Sequence, residues 1–155
     1  MSLDRRLLAA VLCALGLLAG GCGGDDGPSR SAAAERLAVL CAEARLDVEA
    51  LGLPSERGIV VIRPWANRGT RLSQAIGRLE GGIARERSLL ESLAKALDEY
   101  YAGLRVGLLV YEQTRSFDAY AAAIERGTAF LEESESLARR LDAPECAVRP
   151  FADDG

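Results

Sequence analysis

The chain has 155 residues, 49% of them hydrophobic and 27% charged, with 19 lysines and arginines against 23 aspartates and glutamates and a net charge of −4. This length suits one domain with a sizeable core, and the acidic balance argues against general nucleic-acid binding. No histidine is present, which removes the commonest general base and metal ligand and every Ser-His or Cys-His nucleophile pair.

At the start, Arg5-Arg6 precede an apolar run from Leu7 to Leu18, followed by Ala19-Gly20-Gly21-Cys22. A basic start stays on the cytoplasmic side, a short apolar stretch partitions into the bilayer, and small residues fit a signal peptidase. The run is well short of the ~20 residues that a spanning helix needs, so residues 1–21 read as a removable signal. Leu18-Ala19-Gly20-Gly21-Cys22 resembles the lipobox of bacterial lipoproteins, in which a small residue precedes the cysteine that receives the lipid. That family places Leu, Val or Ile three positions before the cysteine; here Ala19 holds the place and Leu18 lies one position early. The resemblance implies an extracytoplasmic protein anchored to the membrane through acyl chains on Cys22. The competing reading is an ordinary signal cut near Gly20, leaving Cys22 as a free thiol.

Residues 22–34 read as a flexible tether, because Gly23, Gly24, Asp25, Asp26, Gly27 and Pro28 bury too little to fold. Of the four cysteines, Cys13 leaves with the signal and Cys22 takes the lipid. Cys41 and Cys146 remain, an even pair in an oxidising compartment. A bond between them would close a loop of about a hundred residues and contribute roughly 4–5 kcal/mol by chain entropy. The alternative is two buried, reduced thiols. No CxxC occurs, so neither a thioredoxin-type redox motif nor a zinc knuckle is indicated.

The domain expected at 35–146 is helical. Leu37, Cys41, Ala44, Val48 and Leu51 recur at steps of four and three, which places them on one helix face; Gly52 and Pro54 stop that helix. Residues 52–65 are expected as an extended connection, with Ile59-Val60-Val61-Ile62 packed on the bundle and Trp65 as a core plug. Leu72, Ile76, Leu79, Ile83, Leu90, Leu93, Leu97, Tyr100, Leu104 and Tyr111 then form one heptad stripe with Glu86 and Gly107 as off-type members. Residues 66–113 are one long helix or two, with Gly81-Gly82 the favoured break. Ser116 is the expected N-cap of the last helix, with Asp118 in its first turn. Tyr120, Ile124, Gly127, Leu131, Ser134, Ala138 and Leu141 form its inner stripe, and Glu135 pairs with Arg139 on the outer face. Pro144 ends it, and residues 147–155 are a loose tail. The fold expected is all-α: an antiparallel bundle of three to four helices with one extended interhelix loop, closed by a disulfide at the end where both termini lie.

Chemistry is sparse. Ser92-Leu93-Ala94-Lys95 matches SxxK and resembles the catalytic motif of penicillin-binding proteins and serine β-lactamases, with Ser92 as nucleophile and Lys95 as base. The partner motifs of that family are missing and the chain is too short for its fold. Pairing of Lys95 with Glu91 on a solvated face is the expected reading. Glu132, Glu133 and Glu135 point in different directions on a helix, as a solvated acidic face would. Seven arginines lie between Arg57 and Arg87 against Glu80 and Glu86 alone, whereas from Glu91 onward thirteen acidic residues face seven basic ones. The basic stretch either neutralises its acidic neighbours, the expected outcome, or meets an anionic surface.

Cys22, Cys41 and the ending Ala-Arg-Arg-Leu-Asp-Ala-Pro-Glu-Cys at 138–146 are similar to small helical-bundle lipoproteins of high-GC Gram-positive bacteria. The resemblance implies no known activity. The expectation is a non-enzymatic interaction or structural module of the cell envelope that needs no cofactor or metal. Its contacts would be the membrane through Cys22 and an envelope protein or anionic surface. The alternative is a bundle that holds an apolar ligand among Tyr100, Tyr111 and Phe130.

Overall fold

The computed structural model describes residues 31–52 and 58–147. The signal, Cys22, most of the tether, Pro54, Arg57 and residues 148–155 lie outside them. Four helices carry the fold: α1 (Ala32–Leu51), α2 (Ile62–Ile76), α3 (Ala84–Thr114) and α4 (Phe117–Arg140), with 3-10 turns at Ile59–Val61 and Pro144–Cys146. No strand occurs among the described residues.

Neighbouring helices run antiparallel. Leu40 and Asp47 of α1 face Ala75 and Arg68 of α2 across one groove. Along the next interface, Gly69 of α2 meets Tyr101 of α3 and Gly77 meets Ala94. On the far side of α3, Gly103 approaches Gly127 of α4, and Gly107 approaches Ile124 and Tyr120. The closest packing joins α3 to α4 and α2 to α3; α1 lies on α2, and the Pro144–Cys146 turn bridges α4 back to α1.

Covering α3 from two sides explains its pattern of burial. Tyr100 and Tyr101 are consecutive, about 100° apart around the helix, yet only 2% and 3% exposed. Tyr101 lies over Gly69 of α2, where a Cβ would sit inside the phenol ring. Tyr100 turns towards α4, with its backbone carbonyl and ring within 4 Å of a Cβ built at Gly127. Small residues let the backbones close: a Cβ on Gly103 would be 3.5 Å from the Gly127 Cα. Leu90, Leu93, Leu97 and Leu104 complete the buried stripe of α3.

The order after Gly58 differs from the extended connection expected through residue 65. A 3-10 turn begins at Ile59 and α2 already at Ile62. Pro64 falls in the first turn of α2, where a backbone N–H has no intrahelical partner to lose. Ile62, Trp65, Ala66, Gly69, Leu72, Ser73 and Ile76 are all buried on one face. That stripe begins before the proline, so Trp65 fills the core from inside a helix, 1% exposed. The heptad stripe is carried by two helices, and the break runs from Gly77 to Ile83, wider than the Gly81-Gly82 pair. Ile83, expected on the inner stripe, is 64% exposed because it lies in this turn.

The first and last helices are each capped at the N-terminus by a serine side chain. Ser116 Oγ accepts the Ala119 N–H at 3.2 Å, as expected. Ser31 Oγ likewise accepts the Ala34 N–H at 3.1 Å, so α1 starts at Ala32 and takes in the last three residues assigned to the tether. Cys41 and Cys146 are bonded, with Cα atoms 4.9 Å apart and a sequence separation of 105. Both are fully buried.

Two changes test this packing. Reducing the disulfide, or replacing both cysteines with alanine, lowers the unfolding free energy in urea by about 4 kcal/mol, chiefly by freeing the unfolded chain. Gly69→Ala displaces the Tyr101 ring and costs about 1–3 kcal/mol, the range for an overpacked core. A Gly69→Ala protein melting with the native one would show that this contact is slack.

Candidate functional site

The side chains that carried chemical hypotheses are spread over the bundle and form no single centre. Ser92 is half-buried and Lys95 exposed on α3. Glu132 and Glu133 are exposed on α4. Glu135 departs from the outer face: it is 8% exposed and lies 3.9 Å from the exposed Arg139 guanidinium. The last turns of α4 are covered by α3 and also packed by the Pro144–Cys146 turn, so the buried face there is wider than one stripe. No group of three metal-ligating side chains occurs among the described residues. None of the described helices is long and apolar enough to cross a membrane.

The aromatic residues divide into two groups. Tyr100 and Tyr101 stack edge to face with centroids 5.1 Å apart in the middle of α3. Tyr111 packs on Phe117 at 4.8 Å and on Tyr120 at 6.4 Å beside the α3–α4 turn. Tyr100 and Tyr101 are buried between helices, whereas Tyr111 and Tyr120 are half-buried and Phe117 is exposed. Three depressions are lined elsewhere: about 170 Å³ between α1 and α2, about 420 Å³ at the α2–α3 turn, and about 570 Å³ beside Val39, Leu40 and Leu79. Tyr100, Tyr111 and Phe130 line none of the three.

The basic stretch is split between two situations. Arg63 pairs with Glu112 at 2.6 Å, and Arg68 pairs with Asp47 and is partly buried. These two tie α2 to α3 and to α1. Arg71, Arg78, Arg85 and Arg87 are exposed, the last three in or beside the α2–α3 turn. Arg78 and Arg87 line the depression there together with Glu80 and Glu91.

At this turn the structure adds a residue that sequence reasoning took only as an off-type stripe member. The Glu86 carboxylate accepts the Ser31 hydroxyl and the Gly82 N–H at 2.6 Å. The Ser31 hydrogen bond, then the Gly82 N–H, hold its carboxyl below the usual glutamate range. Glu86 therefore clasps the start of α1 to the α2–α3 turn across 55 positions of sequence. A charged residue on an apolar stripe was the available signal. Its partner was not legible, because Ser31 lay in a segment read as tether. No protein family, curated protein or solved structure matches the chain.

The buried phenols set the alkaline limit of the fold. Burial raises Tyr101 from 10.0 to about 12. Burial, with Tyr101 and Tyr120 nearby, raises Tyr100 still further, and its hydroxyl is buried with no hydrogen-bond partner among the described residues. Folding favours the neutral phenol, so these groups' contribution is complete below the unfolded value and is lost as pH rises through the folded one. Stability should hold up to pH 10 and fall between 10 and 12, read as the urea midpoint against pH. Tyr101→Phe should blunt that fall; a midpoint unchanged to pH 12 in the native chain would contradict it.

Proposed function

We propose that this chain is a membrane-anchored extracytoplasmic lipoprotein whose folded part is a non-enzymatic interaction or structural module of the cell envelope. The observation that carries the reading is the order Arg5-Arg6, apolar Leu7–Leu18, small Ala19-Gly20-Gly21, then Cys22. A signal of this kind exports the chain, and acyl chains on Cys22 keep it at the membrane; two or more acyl chains anchor stably where one does not.

Two further features support the reading. A fully buried disulfide between Cys41 and Cys146 suits an oxidising compartment outside the cytoplasm. The start of α1 at Ala32, with Ser31 exposed, places the folded part only a short polar segment away from Cys22.

The decisive experiment is metabolic labelling with an alkyne fatty acid. The native chain should take up label and remain in the membrane fraction, and Cys22→Ser should abolish labelling. An unlabelled native chain, or a Cys22→Ser chain labelled as strongly as the native one, would defeat the proposal.

A further inference from the structure

We propose that the α2–α3 turn, residues 77–87, is the face the bundle lays on an anionic lipid bilayer, with Ile83 inserted at the interface and Arg78, Arg85 and Arg87 in the same segment. The inference rests on the lipid-anchor reading for its geometry, and on the turn itself for its chemistry.

The geometry comes from where α1 begins. Ser31 caps α1 and donates to Glu86 beside the turn. The chain therefore leaves the fold at the α2–α3 end of the bundle. Ser31 lies nine residues after Cys22, a segment that spans at most about 30 Å when fully extended. An anchor on Cys22 thus keeps this end nearest the membrane.

The chemistry of the turn fits that neighbour. Ile83 is 64% exposed, among the most exposed large apolar side chains of the described residues. Arg78, Arg85 and Arg87 are exposed in the same segment. Of the two acidic residues in the segment, Glu86 is turned onto Ser31 and Gly82, which leaves Glu80 as the exposed one. An exposed apolar side chain in a segment that carries three exposed arginines matches the interface of an anionic bilayer, where apolar groups enter the boundary layer and cations meet phosphates. At the other end of α2, Arg63 is already paired with Glu112.

The test uses the chain from residue 22 bearing Cys22→Ser and no lipid. It retains the whole hydrophobic core, which lies between Ala33 and Cys146. Sedimentation with phosphatidylglycerol vesicles should show binding that added salt reverses, and phosphatidylcholine vesicles should retain far less. Each arginine of the turn contributes about five-fold, so Arg78→Gln, Arg85→Gln and Arg87→Gln together should weaken binding about a hundred-fold. Ile83→Ser alone should weaken it about ten-fold. Arg63→Gln should leave binding as it is, and circular dichroism should show every variant folded as the native chain. Vesicle binding that survives the triple change or Ile83→Ser, or that falls equally with Arg63→Gln, overturns the proposal. So does equal binding to a soluble glycerol-phosphate polymer, which offers the charge without the interface. Fatty-acid labelling of Cys22 is read separately. Label with no turn-dependent binding removes the docking face and keeps the anchor, and turn-dependent binding without label does the reverse.

Discussion

The bundle depends on one constraint, the burial of α3 between two neighbours. A 31-residue helix with ten buried residues cannot be covered by a single partner, because its buried arc is too wide. Tyr100 and Tyr101 make the point at one level of the helix, each facing a different neighbour and each resting on a glycine of that neighbour. The large ring on α3 and the missing side chain opposite are two halves of one fit. Helices α2 and α4 are fixed in register by it, and α1 is added outside, on α2.

That layering explains why the disulfide sits where it does. Helix α1 is held on one flank by α2 and on the other by the Pro144–Cys146 turn. The turn is short, and its burial alone offers little apolar area. A covalent bond at Cys146 makes the contact permanent and closes the row of helices into a ring. The ion pairs Arg63–Glu112 and Arg68–Asp47 add register between helices, but their exposure limits each to under about 1 kcal/mol.

Much of this architecture could be read from the sequence, and for identifiable reasons. The cysteine pair followed from parity and from the helical face on which Cys41 falls. The Ser116 cap and the stripe of α3 followed from spacing alone. What escaped was context. The run Ile59–Ile62 is β-branched, and local preference favoured an extended form; the buried stripe through Trp65 to Ile76 overrode it, because Pro64 is harmless in a first turn. The glycine pair at 81–82 marked a break without its extent, since nothing local says that Gly77 leaves the helix. Glu135 was assigned outward by a one-sided view of α4, whereas the chain end returns to cover its second side. The exposed arginines of the turn could not be told from the paired ones, because pairing depends on which carboxylates the fold brings near.

The disulfide also decides how the protein bears load. Tension applied between the two ends of the chain passes along α1 only as far as Cys41, crosses to Cys146, and leaves through the tail. The 104 residues between the two cysteines lie outside that path and carry no force. Only the first turns of α1 can be peeled away, so the longest and best-packed helices are shielded from a pull at the ends of the chain.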